Sequence, residues 1–225
     1  NRCRESPAKR QRKRRQGKVT YLSSTSNYTM TEFYDLCLRK TSEDVKELAT
    51  DLGWSITNCR LKTVFLEASD WGELKRKVNN KRDEADLIIF EGGDAELNRK
   101  AAEEKRIDIL LHPEKGRKDS GIDHVVAEEA AKNEVAIGFD IQQLMRKRKK
   151  QTHVLLAWRK NLKLCEKYNT PYIITSGARD KLDLRAPREL SAFMNSIGFS
   201  GNKAVSEHPK KILENRGKIG EESVR

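Results

Sequence analysis

Glu91, His112 and Asp140 are the residues of this sequence best suited to bind a metal ion, because carboxylate oxygens and imidazole nitrogens are common metal ligands. Each follows a short apolar segment of the strand type, and the carboxyl ends of parallel strands meet at one edge of a sheet. The three side chains could therefore share one metal ion. A centre with several ions would need more imidazoles, and the sequence has four histidines and no His-x-His pair. We expect no functional metal centre, with Glu91 and His112 hydrogen-bonding to each other or to nearby loops, although residual metal binding beside them is left open.

Nucleophilic catalysis is also poorly supported by the sequence. Ser176 follows a predicted strand, but Ser176-Gly177-Ala178 lacks the Gly-x-Ser-x-Gly pattern of a nucleophile elbow. The pattern places no histidine beside it. We expect the Ser176 hydroxyl to bond to the backbone, and the sequence predicts no catalytic residue.

Phosphate binding is a second kind of chemistry that the sequence indicates, because basic residues follow several predicted strands. Arginine makes paired hydrogen bonds to phosphate oxygens and stays charged at every relevant pH, and lysine adds a point charge. Salt bridging to carboxylates is the alternative role for each of these residues. The predicted phosphate contacts are Arg99, Lys115, Arg117, Lys118, Arg179, Arg185 and Arg188.

Two further features suggest phosphate binding less specifically. Gly92-Gly93 before a predicted helix resembles a phosphate cradle, but Asp94 disfavours an anion there, and a tight strand-to-helix turn explains the glycines better. The run Arg146-Lys147-Arg148-Lys149-Lys150 could contact phosphates, although most such runs are solvated faces.

The elements that must position these residues alternate between strands and helices. A capping box at Thr41-Ser42-Glu43-Asp44 begins one helix, Asp94 caps a second, and a capping box at Ser120-Gly121-Ile122-Asp123 begins a third. A long helix is predicted over 142–168 with a break near Gln151, and Pro187 and His208-Pro209 open the last two. The predicted strands are 33–37, 54–59, 63–66, 87–90, 107–111, 135–139 and 172–175.

This alternation predicts an α/β protein with parallel strands joined by crossover helices. A length of 225 residues is suited to one domain of this class. Periodicity alone does not distinguish an open, doubly wound sheet from a closed barrel.

The net charge of +12 is concentrated at the start of the chain. Residues 1–18 contain nine Lys or Arg and one Glu, without apolar periodicity. We interpret 1–29 as a basic disordered tail or a non-native extension, and 30–225 as one folded domain. A tail of this kind would bind polyanions without reading their sequence.

Other functional classes are disfavoured by composition. Cysteines 3, 37, 59 and 165 form no Cys-x-x-Cys pair and no disulfide framework. No apolar run approaches the roughly 18 residues needed to cross a bilayer, and no signal peptide is predicted. The sequence therefore predicts a soluble, cytoplasmic protein without membrane association.

A colinear set of motifs from about Met30 to Gly198 resembles a specific family, protein component three, or the thirty-kilodalton subunit, of archaeal and eukaryotic ribonuclease P. Each motif is weak alone, and their order and spacing make the set specific. The matching segments are Phe33-Tyr34-Asp35-Leu36, Glu91-Gly92-Gly93-Asp94, Asn98-Arg99-Lys100-Ala101, Asp108-Ile109-Leu110-Leu111-His112-Pro113-Glu114, Ser120-Gly121-Ile122-Asp123-His124, Ala136-Ile137-Gly138-Phe139, Ile174-Thr175-Ser176-Gly177-Ala178 and Asp183-Leu184-Arg185-Ala186-Pro187-Arg188-Glu189-Leu190.

The resemblance implies a TIM-barrel-like fold related to the polymerase and histidinol phosphatase group. It also implies a subunit of a ribonucleoprotein that removes the 5′ leader of precursor tRNA, with Mg²⁺ held by the catalytic RNA and no cofactor bound by the protein. The implied partners are the ribonuclease P RNA, precursor tRNA in the holoenzyme, and a second small protein subunit; whether that pair doubles to a heterotetramer is left open. The seven predicted phosphate contacts then become predicted RNA contacts.

Two other functions remain as alternatives at this point. The chain could be a metal-dependent phosphoesterase like its relatives in the phosphatase group, which would require a bound metal ion. It could also be a basic scaffold that binds polyanions through residues 1–29. Enzyme activity of the chain alone is left open, whereas the resemblance assigns endonuclease activity to the assembled ribonucleoprotein.

Overall fold

The computed structural model describes residues 31–146 and 150–219. The segment 1–29, predicted to be a basic tail, lies outside the described residues, as do 147–149 of the second basic run. The strands are β1 (Tyr34–Asp35), β2 (Ile56–Thr57), β3 (Thr63–Leu66), β4 (Leu87–Glu91), β5 (Ile109–Leu111), β6 (Ala136–Asp140) and β7 (Tyr172–Thr175). The helices are α1 (Glu43–Asp51), α2 (Trp71–Arg82), α3 (Ala95–Glu103), α4 (His124–Lys132), α5 (Gln142–Arg146), α6 (Gln151–Tyr168), α7 (Pro187–Ser196) and α8 (His208–Asn215).

Five parallel strands form the main sheet in the order β3-β4-β5-β6-β7, and β1 pairs with β2 in a separate parallel sheet. Each connection between neighbouring strands of the main sheet contains at least one helix, as parallel pairing requires. The predicted α/β class with parallel strands is confirmed. Barrel closure stays a prediction, because within 31–146 and 150–219 the two sheets share no strand pairing.

The first strand nevertheless lies beside the last. The backbone amides of Arg39 and Lys40, just after β1, both donate to the carbonyl oxygen of Ala178, just after β7, at 2.9 and 3.2 Å. The buried carboxylate of Asp35 accepts hydrogen bonds from Thr175 and Ser176. These contacts bring the carboxyl ends of β1 and β7 to the same edge of the fold.

Both faces of the main sheet are buried, as expected from its nearly continuous apolar strands. In β4, Ile88 and Phe90 belong to the larger apolar cluster, together with side chains of the surrounding helices. Leu87 and Ile89 point to the other face and belong to a smaller cluster that also contains side chains of β1 and α8. None of the described helices has the length and hydropathy needed to span a membrane.

Two predicted strands are much shorter than expected. The predicted strands 33–37 and 54–59 are reduced to β1 and β2, and a 3-10 turn over Asn58–Arg60 follows β2. The Asn58 side chain both accepts from the amide and donates to the carbonyl of Leu38, each at 3.0 Å. The side-chain amide of Asn58 thus makes the hydrogen bonds to Leu38 that a neighbouring strand would otherwise make, and the backbone pairing of β1 with β2 ends before this position.

The predicted long helix over 142–168 is divided into α5 and α6. Helix α6 begins at Gln151, where the break was predicted. Five consecutive basic residues, 146–150, disfavour a continuous helix because like charges repel at this spacing. The division places Arg146 at the end of α5, close to the strand ends described next.

Candidate nucleic-acid interface

The polar residues predicted at the strand ends lie together at the carboxyl edge of the main sheet. Glu91 ends β4, His112 follows β5 directly, and Asp140 ends β6. They line a cavity of about 260 Å³, which we call the strand-end cavity. Its lining residues are Arg39, Glu91, His112, Lys115, Asp140, Gln142, Gln143, Arg146 and Arg179.

The Glu91 carboxylate is held between two cations. One oxygen pairs with the guanidinium of Arg39, which also lies 4.3 Å from the centre of the Phe65 ring, and the other lies 3.0 Å from Lys115 Nζ. Burial raises the pKa of Glu91, but the two cations outweigh burial, so this pKa lies below its ordinary value. Glu91 is therefore an anion whose charge is already neutralised by protein side chains.

His112 and Asp140 form a second, looser pair. Asp140 Oδ2 lies 3.5 Å from His112 Nε2, while its Oδ1 accepts from the Gln142 amide at 2.8 Å. His112 is in the left-handed backbone region, with φ of 57°, and its Nδ1 is buried without a hydrogen-bond partner among the described residues. The hydrogen bond between Glu91 and His112 that was one expectation is not formed, because each has a different partner.

These contacts give the strand-end carboxylates protein partners. Within residues 31–146 and 150–219, no group of three or more His, Cys, Asp or Glu could hold a metal ion. The cations of Arg39 and Lys115 contact Glu91 on both oxygens, where a metal ion would have to bind. The site that Glu91, His112 and Asp140 could have formed together is therefore not assembled.

Ser176 contacts a carboxylate and not the backbone, contrary to expectation. Its hydroxyl and its amide both donate to Asp35 Oδ2, and the serine is fully buried. Burial raises the pKa of Asp35, and the hydrogen bonds from Ser176 and Thr175 oppose that shift. The serine anchors β1 to β7 and has no imidazole as a partner in the described part of the chain.

The loop after β5 carries three of the predicted phosphate contacts. Lys115 faces the strand-end cavity, Arg117 makes two hydrogen bonds of 2.6 Å to Asp119, and Lys118 is exposed. With Lys150 and His153, the same loop lines an adjoining cavity of about 330 Å³. The loop thus presents a basic surface next to the strand-end cavity.

The four predicted arginines have different surroundings. Arg99 pairs with Glu103 along α3 at 3.1 Å, and Arg185 donates to the carbonyl oxygens of Leu182 and Leu184. Arg179 and Arg188 are exposed and have no ion pair among the described residues. Of the four, only Arg179 lines the strand-end cavity.

Arg39 is a site residue that the sequence prediction missed. It lies two positions beyond the end of the predicted strand 33–37, so the rule that selected residues after the other strands would have found it. Arg146 was noted only as part of a basic run, and in the structure it ends α5 and lines the cavity.

Comparison with known proteins decides the family. The profile of a family described as RNase P subunit p30 matches residues 57–219. The chain belongs to this family.

Curated relatives and a solved structure agree with the assignment to the RNase P subunit p30 family. Ribonuclease P protein component 3 of Methanococcus maripaludis strain C5 is 34% identical over 172 residues, covering 74% of each chain. The protein of that name from Methanocaldococcus jannaschii is 36% identical over 179 residues, covering 79% of this chain and 72% of the relative. A chain in a cryo-EM structure of archaeal ribonuclease P with mature tRNA superposes with a TM-score of 0.68 and 31% identity, covering 88% of this chain and 87% of that chain.

Membership in the RNase P subunit p30 family decides between two of the earlier readings. It supports a ribonuclease P protein subunit over a metal-dependent phosphoesterase. The contacts of Glu91 agree, since its oxygens are paired with Arg39 and Lys115.

Proposed function

We propose that this chain is a non-catalytic subunit of ribonuclease P, which binds the catalytic RNA and supports removal of the 5′ leader from precursor tRNA. The observation that carries this proposal is the match over most of the chain to a protein in archaeal ribonuclease P with mature tRNA. The family match and the names of the curated relatives support the same function.

In this proposal, RNA is bound through phosphate contacts on a rigid scaffold. Arg179, Arg188 and Lys118 are exposed and have no ion pair within 31–146 and 150–219, so their charges are available to a ligand. Guanidinium groups can make paired hydrogen bonds to phosphate oxygens, and such contacts recognise charge and shape. Arg99, Lys115, Arg117 and Arg185 would add contacts after exchanging their present protein partners.

The chemistry of cleavage is assigned to the RNA. The strand-end carboxylates are paired with Arg39, Lys115 and His112, and this pairing supports a role without catalysis for the described part of the chain. The proposal includes Mg²⁺ held by the RNA and a second small protein subunit as partner. The cytoplasmic location predicted from the sequence stays a prediction.

Reconstitution tests the proposal. Precursor tRNA would be incubated with the ribonuclease P RNA and the partner protein, with and without this chain, and the rate of leader removal measured. We expect the chain to increase cleavage in the mixture and to leave precursor tRNA intact when it is alone. An unchanged rate in the mixture would contradict the proposal, and so would cleavage by the chain without RNA.

A further inference from the structure

The strand-end cavity has the charge and donors of a small anion site. We propose that it binds a single phosphate group in the isolated protein. Four cationic side chains and two carboxylates line it, an excess of two positive charges. The carboxylate of Asp183, which pairs with Arg146, reduces that excess to one, and the Glu67 carboxylate near Lys115 is 71% exposed and so is screened by water.

Two guanidinium groups have donors free for such a ligand. Only Nη1 of Arg39 is used, for Glu91, and the other nitrogens of its guanidinium have no acceptor in the described part of the chain. Contact with the Phe65 ring and the ion pair with Glu91 hold this guanidinium in place at the cavity. The Arg179 side chain is exposed and has no ion pair within residues 31–146 and 150–219.

His112 supplies an independent indication of a ligand. Its side chain is 3% exposed, it lines the cavity, and its Nδ1 is a buried polar atom without a partner among the described residues. Buried polar atoms in native proteins almost always have a hydrogen-bond partner, so an isolated one points to a bound group. A phosphate oxygen in the cavity would be an acceptor for a hydrogen on Nδ1.

The size of the cavity limits what it can hold. Its volume of about 260 Å³ is below the ~300 to 1,000 Å³ of pockets that enclose drug-sized ligands. Gln142 does not compete for the ligand, because its side-chain amide already donates to the carbonyl oxygens of Ser176 and Asp183. A phosphate group therefore fits better than a whole nucleotide.

The phosphate group could belong to an RNA or be free in solution, and the chemistry of binding is the same. The proposal concerns the protein without RNA, so it can fail while RNA binding is retained elsewhere on the surface. RNA binding can likewise fail while this cavity still takes up phosphate.

The test is a titration of the full chain with inorganic phosphate at constant ionic strength, with chloride as the comparison. Nitrogen NMR of the histidine rings would follow His112, and calorimetry would give the affinity. The variants are Arg179→Gln and Arg146→Gln, with Arg159→Gln as the matched control, because Arg159 is exposed on α6 and does not line the cavity.

We expect saturable binding of phosphate and a shift of the His112 Nδ1 signal. Binding should be roughly tenfold weaker in Arg179→Gln, which removes a charge-assisted hydrogen bond, and in Arg146→Gln, which removes a positive charge that lines the cavity. Arg159→Gln should bind as the parent does. If a short RNA with a 5′-phosphate displaces the bound phosphate and an RNA with a 5′-hydroxyl does not, the cavity binds a terminal phosphate of RNA. If both RNAs displace it, the cavity binds the phosphate backbone. If neither does, the ligand is free phosphate. No saturable binding, an unmoved His112 signal, or equal weakening in the control variant would overturn the proposal.

Discussion

Glu91 illustrates how single side chains decide the chemistry of a strand end. A carboxylate at this position could bind a metal ion, but Arg39 and Lys115 pair with both of its oxygens. The same two cations then contribute positive charge to the cavity beside it. Two neighbouring residues thus change a site suited to cations into one suited to anions.

RNA binding should depend on exposed cations at the carboxyl edge of the sheet. Lys118→Glu and Arg188→Glu are expected to bind ribonuclease P RNA roughly fivefold to tenfold more weakly at low salt. The affinity of each variant should also fall less steeply with salt, by the amount that corresponds to about one lost phosphate contact. Filter binding over a range of salt concentrations measures both quantities.

Lys105→Glu is the matched control, because Lys105 is exposed and precedes β5, at the opposite edge of the sheet. This variant should bind as the parent does. If Lys105→Glu weakened binding as much as Lys118→Glu, the predicted surface would be wrong.

Position 177 requires glycine because the Asp140 carboxylate lies where a Cβ would be, as well as because of its backbone conformation. It has φ of 56°, and a Cβ there would lie 1.9 Å from Asp140 Oδ1. Gly116 also has positive φ, 77°, but a Cβ there would meet nothing within 4 Å. Urea unfolding should therefore show a loss of about 1 kcal/mol for Gly116→Ala and at least about 3 kcal/mol for Gly177→Ala. Equal losses would mean that the contact with Asp140 is relieved without cost.

At the scale of elements, α8 is attached to the sheet through a buried carboxylate. Asp108 precedes β5, with a side chain 1% exposed, and it accepts from Arg82 Nη1 at 2.9 Å, from the Ile88 amide, and from Arg216 just beyond α8. This one residue therefore links the end of α2, β4 and the segment after α8.

Removing the charge of Asp108 should destabilise the whole fold. We expect Asp108→Asn to lower the free energy of unfolding by about 3 kcal/mol, because two arginines lose their buried partner. Glu43→Gln is the control, since Glu43 is 74% exposed in its pair with Lys46 and should give no measurable change. Chemical denaturation measures both, and an Asp108→Asn protein as stable as the parent would contradict this role.

The sequence predicts helices and strands well where a local pattern determines them, and less well where contacts between residues far apart in the chain determine them. The alternation of apolar strands with capped helices was enough for the parallel sheet, and the cap at Asp94 is confirmed. The two predicted capping boxes are not formed, because α1 begins after Ser42 without a side-chain cap and α4 is capped by Asp123 itself. The short β1 and β2 could not be foreseen, because their pairing ends at a hydrogen bond between Asn58 and Leu38, 20 residues apart. The pairings of Glu91 with Arg39 and of Ser176 with Asp35 were unpredictable for the same reason.

At the scale of the whole molecule, positive charge is divided between two regions. Residues 1–18 hold nine Lys or Arg and one Glu, eight of the twelve net positive charges, and lie outside the described residues. The remaining cations that we propose as RNA contacts belong to the folded part of the chain. The first region is expected to bind RNA through charge alone, without recognising its sequence. The second is expected to contact phosphates at fixed positions on the folded surface.

Deleting residues 1–29 separates these contributions. We expect weaker binding to every RNA tested and a shallower salt dependence, with stimulation of precursor tRNA cleavage retained at saturating protein. Binding and reconstituted cleavage would be measured on the same preparations. Complete loss of binding would favour the basic-scaffold alternative over the proposed surface.

The contact between Asp35 and Ser176 also has a consequence for protein synthesis. The two residues are 141 positions apart, so Asp35 leaves the ribosome long before its partners on β7 exist. Until then, β1 has no neighbour on that side and its carboxylate must stay hydrated. We therefore expect the nascent chain to remain open at this edge, and accessible to chaperones, until residue 176 has emerged.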